Sequence, residues 1–253
     1  MGELQTRRWV AIFAYEEAVA KRYPTVRAGV VHATGLANGP SPPELLDEYR
    51  AEQQAASERL KATAIADLPS IAAWRRAFTQ FGAKPTQHRN AAEALLRRLA
   101  KQGEIPTVNA LVDVGNLVSI RYAMPVAVFD LANIADSLTV RFATGDELFT
   151  DLGSTGSVVP DPGEVIFVDR NNVVSARRWC WRQSAQSATS GTTVEALIVI
   201  EGLHDTAGQD VEAALTDLTS LLASHQAHRQ TRSHVLSPTN PSTGTSEGVE
   251  YQS

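Results

Sequence analysis

Hydrophobic positions along the chain follow two periods. Residues 28–36 are apolar and rich in valine, which reads as a strand, and the Asn-Gly-Pro-Ser-Pro-Pro cluster at 38–43 separates them from a polar, helix-like stretch at 44–64. Ile71, Trp74, Phe78 and Phe81 recur at three- and four-residue steps and predict one apolar helical face, with Arg75 and Arg76 beside it. Asn90 and Glu93 form a capping pair for a helix over 91–101. Gly103 stops that helix, and Arg97, Arg98 and Lys101 fall in its last turn. The stretch 110–122 is ambiguous. Asn109, Asp113, Asn116 and Ser119 would share a face if it is a helix, while Val112, Val114, Val118 and Ile120 suit a strand.

After Pro125 the texture becomes β-like, with short runs at 126–129, 138–142, 165–168, 173–176 and 194–200. Asp161-Pro-Gly163 precedes one of these runs and Asp169-Arg-Asn-Asn172 joins it to the next, so residues 164–176 should form a hairpin. Helical spacing returns over 210–224 through Val211, Leu215, Leu218 and Leu222. Helices at both ends around clustered strands argue for an α+β fold, a largely antiparallel sheet with flanking helices, rather than alternating α/β units. The expected layout is one domain over 1–228, with a helical lead-in to 104, a strand-bearing part at 105–202 and the helix at 210–224. Residues 229–253 are dominated by Ser, Thr, Pro, Asn, Gln and Gly and are expected to be a disordered tail.

Composition narrows the class. With 43% hydrophobic and 20% charged residues in 253, wholesale disorder, collagen and coiled-coil arrays are excluded. The net charge of −5 means that any nucleic-acid contact must come from a local basic patch. No apolar run approaches the roughly 20 residues that span a bilayer. Arg7-Arg8 and the short apolar stretch after it imitate a signal peptide, but Glu16-Glu17 interrupts the stretch; Met1-Gly2 with Thr6 is a chance match to an acylation pattern. The one cysteine, Cys180, cannot form an intrachain disulfide, so a cytoplasmic location is expected. Dinucleotide, phosphate-loop, nucleophile-elbow and zinc-helix motifs are absent, and no cofactor or metal is expected. His225 and His228 read as exposed helical histidines, and Cys180, between two tryptophans, as a packed residue.

Two constellations remain. Residues 74–101 carry Arg75, Arg76, Lys84, Arg89, Arg97, Arg98 and Lys101 against Glu93 alone, in a chain that is net acidic. Such clustering suits phosphate contact, and it equally suits solvated helix faces that balance acids elsewhere. The second is Arg177-Arg178-Trp179-Cys180-Trp181-Arg182-Gln183. Strand alternation would place Arg178, Cys180 and Arg182 on one face and Arg177, Trp179, Trp181 and Gln183 on the other. Guanidiniums bind phosphate or carboxylate, and indoles offer a surface on which a base can stack.

The order of motifs Leu111-Val-Asp-Val-Gly-Asn116, Pro125-Val-Ala-Val-Phe-Asp130, Leu138-Thr-Val-Arg141 with Gly145-Asp-Glu-Leu148, and Glu164-Val-Ile-Phe-Val-Asp169 resembles the B3/B4 domain of the phenylalanyl-tRNA synthetase beta chain. The likeness covers residues 105–202. Trp74-Arg75, Phe81-Gly82, Lys84-Pro85 and Arg89 resemble the helical lead-in of free-standing members. Ala127 stands where the family carries a histidine, and Arg177 to Arg182 replace its glycine-rich loop.

The resemblance implies an α+β, B3/B4-like fold and a free-standing protein, not a complete synthetase, that binds the aminoacylated acceptor end of tRNA and hydrolyses a mischarged ester in trans. It implies no DNA and no membrane partner. Asn109, Asp113, Asn116 and Glu201 would line the aminoacyl pocket, Glu201 matching the family glutamate that reads a substrate hydroxyl. Arg75, Arg76, Lys84, Arg89, Arg177, Arg178 and Arg182 would meet tRNA phosphates, and Trp179 or Trp181 would stack on the terminal adenine. No catalytic side chain is singled out. The alternatives are a non-catalytic RNA-binding or small-ligand module that kept the fold, and an interaction domain whose tail recruits a partner.

Overall fold

The computed structural model describes residues 12–227, 230–244 and 249–251. In chain order it forms β1 (Phe13–Tyr15), α1 (Glu17–Arg22), β2 (Arg27–Thr34), α2 (Pro43–Ala62), α3 (Pro69–Gln80), α4 (Ala91–Gln102), α5 (Ala110–Tyr122), β3 (Val126–Asp130), β4 (Leu138–Phe142), β5 (Phe149–Thr150), β6 (Ser157–Val158), β7 (Val165–Val168), β8 (Val174–Arg177), β9 (Arg182–Gln183), β10 (Glu195–Gly202), α6 (Ala207–His225), β11 (Gln230–Leu236) and β12 (Val249–Tyr251). This is a mixed fold of largely antiparallel sheets flanked by helices. The Arg7–Arg8 and Met1–Gly2 signatures lie outside the described residues, as does His228. Among the described residues no helix is long and apolar enough to cross a membrane.

Local chemistry sets the helix ends. The Asn90 side chain accepts the Glu93 amide at 2.9 Å, and α4 ends on Gly103 at φ 81°, a left-handed conformation that glycine adopts without steric cost. The ambiguous stretch at 110–122 is a helix. Asn109 caps it by accepting the Val112 amide at 3.1 Å, and the valines that favoured a strand are used for packing, Val114 and Val118 being fully buried. Tertiary burial here outweighs β-propensity.

Five strands in the order β12-β11-β2-β10-β3 form one antiparallel sheet. Five more, β1-β4-β7-β8-β9, form a second that is antiparallel except for the parallel β1–β4 pair. Alternation along β2 and β10 splits the interior in two. Val31, Ala33, Ile198 and Ile200 face α2, α4, α5 and α6, whereas Ala28, Val30, Leu197 and Val199 face the second sheet and α3. The first sheet is therefore the middle layer. Gly29 lets α6 lie close on it, because a Cβ there would stand 3.2 Å from Val211 and 3.3 Å from Leu215.

Two expectations are corrected. The segment from Arg229 onward is not wholly a disordered tail: Gln230–Leu236 pairs with β2 over seven residues, Leu236 is fully buried, and the Thr243 hydroxyl accepts the amides of Ile12 and Phe13. Backbone pairing to a sheet edge asks little of side-chain hydrophobicity, so a polar composition did not prevent it. Residues 177–183 are not one continuous strand. β8 ends at Arg177, Arg178 and Trp179 turn at φ 44° and 59°, and β9 begins at Arg182.

Candidate functional site

A cleft of about 610 Å³ opens between α4, α5 and β3. Val112, Gly115, Val126 and Val128 make an apolar floor, and Arg89, Arg97, Arg98 and Lys101 line its α4 side. Gly115 makes the close approach of α5 to β3 possible, since a Cβ there would meet Val128 at 3.0 Å. Asn116, one helical step along α5, is half-buried and lines the cleft; Gln183 closes it, its side-chain amide donating to the carbonyls of Val128 and Ser187, both at 2.8 Å.

The basic run is organised by one buried anion. Glu93 is fully buried, and its Oε1 accepts Arg75 Nη1 at 2.7 Å and Arg97 Nε at 2.8 Å, with Arg89 at 4.0 Å. A carboxylate taken out of water requires such partners. The arrangement ties α3 to α4 and orients two arginines of the cleft. Arg76, Lys84, Arg98 and Lys101 are exposed and have no ion-pair partner among the described residues.

The Arg177–Gln183 segment packs against the same helix, the Ala91 amide donating to the Cys180 carbonyl at 2.9 Å. Glu164 is its anchor. It receives Arg177 bidentately at 3.0 and 2.9 Å and accepts the Arg178 amide at 2.8 Å. Arg178 and Arg182 each lie over the ring of Trp181 at 4.8 Å, and His88 meets that ring edge-on at 4.7 Å. Arg182 also pairs with Asp151, and Arg178 with Asp161 at 3.2 Å. Trp181 is half-buried and keeps part of its surface open. Trp179 is not available for stacking: it is 0% exposed and packs edge-on against Trp74 and Tyr23. Two successive non-glycine residues in the left-handed region carry strain, and the bonds to Glu164, Val165 and Glu201 hold them there.

Glu201 is 2% exposed and has no ion-pair partner among the described residues. Its Oε1 accepts the indole N–H of Trp179 at 2.8 Å and the hydroxyl of Tyr15. Burial outweighs these two hydrogen bonds and pushes its pKa up to about 7. Burial likewise raises the Tyr15 hydroxyl and the Cys180 thiol, with the nearby Glu201 carboxyl adding to both.

The four residues expected to line one pocket do not meet. Asn109 is spent on capping α5 and on Thr189, to whose hydroxyl it donates at 3.2 Å. Asp113 is fully buried, accepts the Ser41 hydroxyl at 2.6 Å and the Val108 amide at 3.0 Å, and is raised in pKa by burial. Glu201 lies on the opposite face of the first sheet from α5, with both of its donors supplied by the chain itself. Asn116 alone of the four lines the cleft. Sequence reasoning passed over Gln183, Arg98 and Lys101 as cleft residues. The charge count already contained the two cations, but their convergence on β3 depends on how α4 packs.

The comparison with curated proteins finds no match. Among solved structures, the chain is similar to an N-terminal fragment of the phenylalanyl-tRNA synthetase beta-subunit from Pyrococcus horikoshii, at 12% identity and a TM-score of 0.45, over 92% of this chain and 54% of that one. The chain thus spans about half the length of that fragment. The family model of the B3/4 domain matches residues 73–234. That stretch runs from α3 into β11 and takes in the basic cleft, the Trp181 turn and Glu201. The chain belongs to the B3/4 domain family.

Proposed function

We propose that this protein binds the aminoacylated acceptor end of tRNA in the cleft between α4, α5 and β3, and hydrolyses a mischarged ester there in trans. The observation that carries the reading is the pairing of an apolar floor with a one-sided cationic rim in a net acidic chain. The floor accepts an amino-acid side chain and the rim accepts phosphates. Arg98, Lys101, Arg76 and Lys84 supply charge that no carboxylate among the described residues pairs with. Arg89 and Arg97 contribute from positions fixed by Glu93, and Arg178 and Arg182 hold Trp181 as a platform for the terminal adenine.

No carboxylate, imidazole or thiol is among the side chains lining the cleft. Hydrolysis would therefore rest on position rather than on a strong base. Asn116 and Gln183 would orient a water and the ester carbonyl, and the neighbouring ribose hydroxyl would assist departure of the alcohol. The same lack of a base favours a second reading, in which the cleft binds RNA without turning it over.

The deciding experiment follows release of labelled amino acid from a panel of correctly and wrongly charged tRNAs. Selective release from one mischarged species supports hydrolysis. No release by folded protein that still binds tRNA leaves the binding reading. In the binding arm, Lys101→Glu and Arg98→Glu should weaken affinity across tRNAs and lower the steepness of its salt dependence by about one per lost phosphate contact. Unchanged affinity at low salt in both variants would remove the cleft from the interface.

A further inference from the structure

The outer edge of β3 is only half covered. β3 ends the five-stranded sheet on one side and pairs with β10 alone, the Glu201 amide donating to the Pro125 carbonyl at 3.2 Å. In an antiparallel pair the backbone groups of successive residues point alternately toward the neighbouring strand and away from it. Residues 125, 127 and 129 therefore bond to β10, and residues 126, 128 and 130 turn their backbone groups outward. β9 and the loop after it take part of that edge: the Val128 carbonyl accepts the Gln183 side-chain amide at 2.8 Å, and the Asp130 amide donates to the Ser187 carbonyl at 2.9 Å.

The N–H and C=O of Val126 have no hydrogen-bond partner among the described residues. Val126 is half-buried and lines the basic cleft beside Val128. An open strand edge at the floor of a cleft is a site for a further extended segment, bonded main chain to main chain. A single residue can satisfy Val126 on both counts, giving an N–H to its carbonyl and a carbonyl to its N–H.

The charge of the cleft decides what that N–H belongs to. Arg89, Arg97, Arg98 and Lys101 line it, and no carboxylate does. Glu93, the acid of the same helix, is fully buried and already holds Arg75 and Arg97. An ammonium entering there would meet like charges and find no counter-ion, whereas an amide N–H is a neutral donor. We propose, resting on the reading of this cleft as a site for an RNA acceptor end, that the acyl group it takes is N-acylated, as a peptidyl group is, and adds to the edge of β3 at Val126. The amide N–H of the esterified residue donates to the Val126 carbonyl, and its ester carbonyl accepts the Val126 N–H. The side chain of that residue then falls on the face where Val126 and Val128 meet α5, which is the apolar floor.

The test is binding of one acceptor-stem RNA in three forms: with a bare 3′ end, with leucine attached through a hydrolysis-resistant amide, and with N-acetyl-leucine attached in the same way. The N-acetyl form should bind at least about fivefold more tightly than the other two, the size of one added hydrogen bond. Val126→Pro removes the outward N–H, a change that edge strands tolerate, and should return the N-acetyl form to the affinity of the bare RNA. Val126→Ala keeps the N–H and should keep the preference. Thermal melts show whether each variant is folded; if Val126→Pro is not, the comparison of the three RNAs with the unaltered protein decides. Equal binding of the three forms overturns the pairing with β3 and leaves the cleft as an RNA site. So does a preference for the free amine, or a preference for the N-acetyl form that survives in folded Val126→Pro. Failure of all three RNAs to bind at low salt overturns this proposal together with the reading it rests on.

Discussion

Glu201 gives a pH dependence of stability whose sign and size both follow from the structure. Its carboxyl is buried with two donors, Tyr15 and Trp179, on the same oxygen and no ion-pair partner among the described residues, and its pKa rises from an ordinary 4.5 to about 7. The folded state therefore keeps a proton that the unfolded chain has already released between those values. The contribution is fully present below about pH 4.5, declines as pH rises, and is exhausted above about 7. At ~1.4 kcal/mol per pH unit the whole loss is about 3 kcal/mol. Glu201→Gln is nearly isosteric and keeps the doubly accepting oxygen, so it should remove this dependence and be the more stable protein at pH 8. Urea denaturation of both proteins from pH 4.5 to 8.5 measures it. Taking the difference cancels other titrating groups, including His88 and His234, whose pKa values burial lowers. A flat difference curve, or a variant less stable than wild type at pH 8, would refute the account of a carboxyl kept neutral by burial.

Three further outcomes follow from single observations. Glu93→Gln should destabilise by about 2–3 kcal/mol in chemical denaturation, because it withdraws the buried charge shared by Arg75 and Arg97. Gly103→Ala meets no atom within 4 Å but forces a Cβ onto φ 81°, and should cost about 1 kcal/mol through backbone strain alone. Truncation after Ala227 removes β11 and the fully buried Leu236, and should lower stability by more than about 2 kcal/mol, the value of burying one leucine. A melting temperature unchanged by that truncation would return the segment to the status of a tail.

What the sequence made legible was local chemistry. The Asn90 cap, the Gly103 stop and the hairpin around Asp169 depend on neighbours within a few residues, and each lies where its signal put it. The motif order from Leu111 to Asp169 carried the family because it records spacing, which survives divergence. What failed depended on partners far along the chain. β11 owes its place to β2, some two hundred residues upstream. Trp179 looked like half of an exposed pair, but Glu201 and Trp74 draw it into the core. Asp113 and Asn116 share a helix, yet Asp113 is claimed by Ser41 while Asn116 is left to the cleft.

The arginines show why a charge count could suggest a site without locating it. Buried or nearly buried carboxylates sort them: Glu93 takes Arg75 and Arg97, Glu164 takes Arg177, Glu52 takes Arg59 and Arg121, and Glu147 takes Arg141. An arginine paired with a buried acid is mainly committed to the fold, since removing either partner strands a charge. Charge left for a ligand is what remains after that pairing, and Arg76, Lys84, Arg98 and Lys101, on α3, α4 and the segment between them, are exposed with no ion-pair partner among the described residues. Substitutions at the paired arginines should therefore appear first as lost stability and those at the four unpaired cations first as lost binding. A variant of Arg98 or Lys101 that lowered the melting temperature while leaving tRNA binding by the folded protein unchanged would invert that order and contradict the assignment.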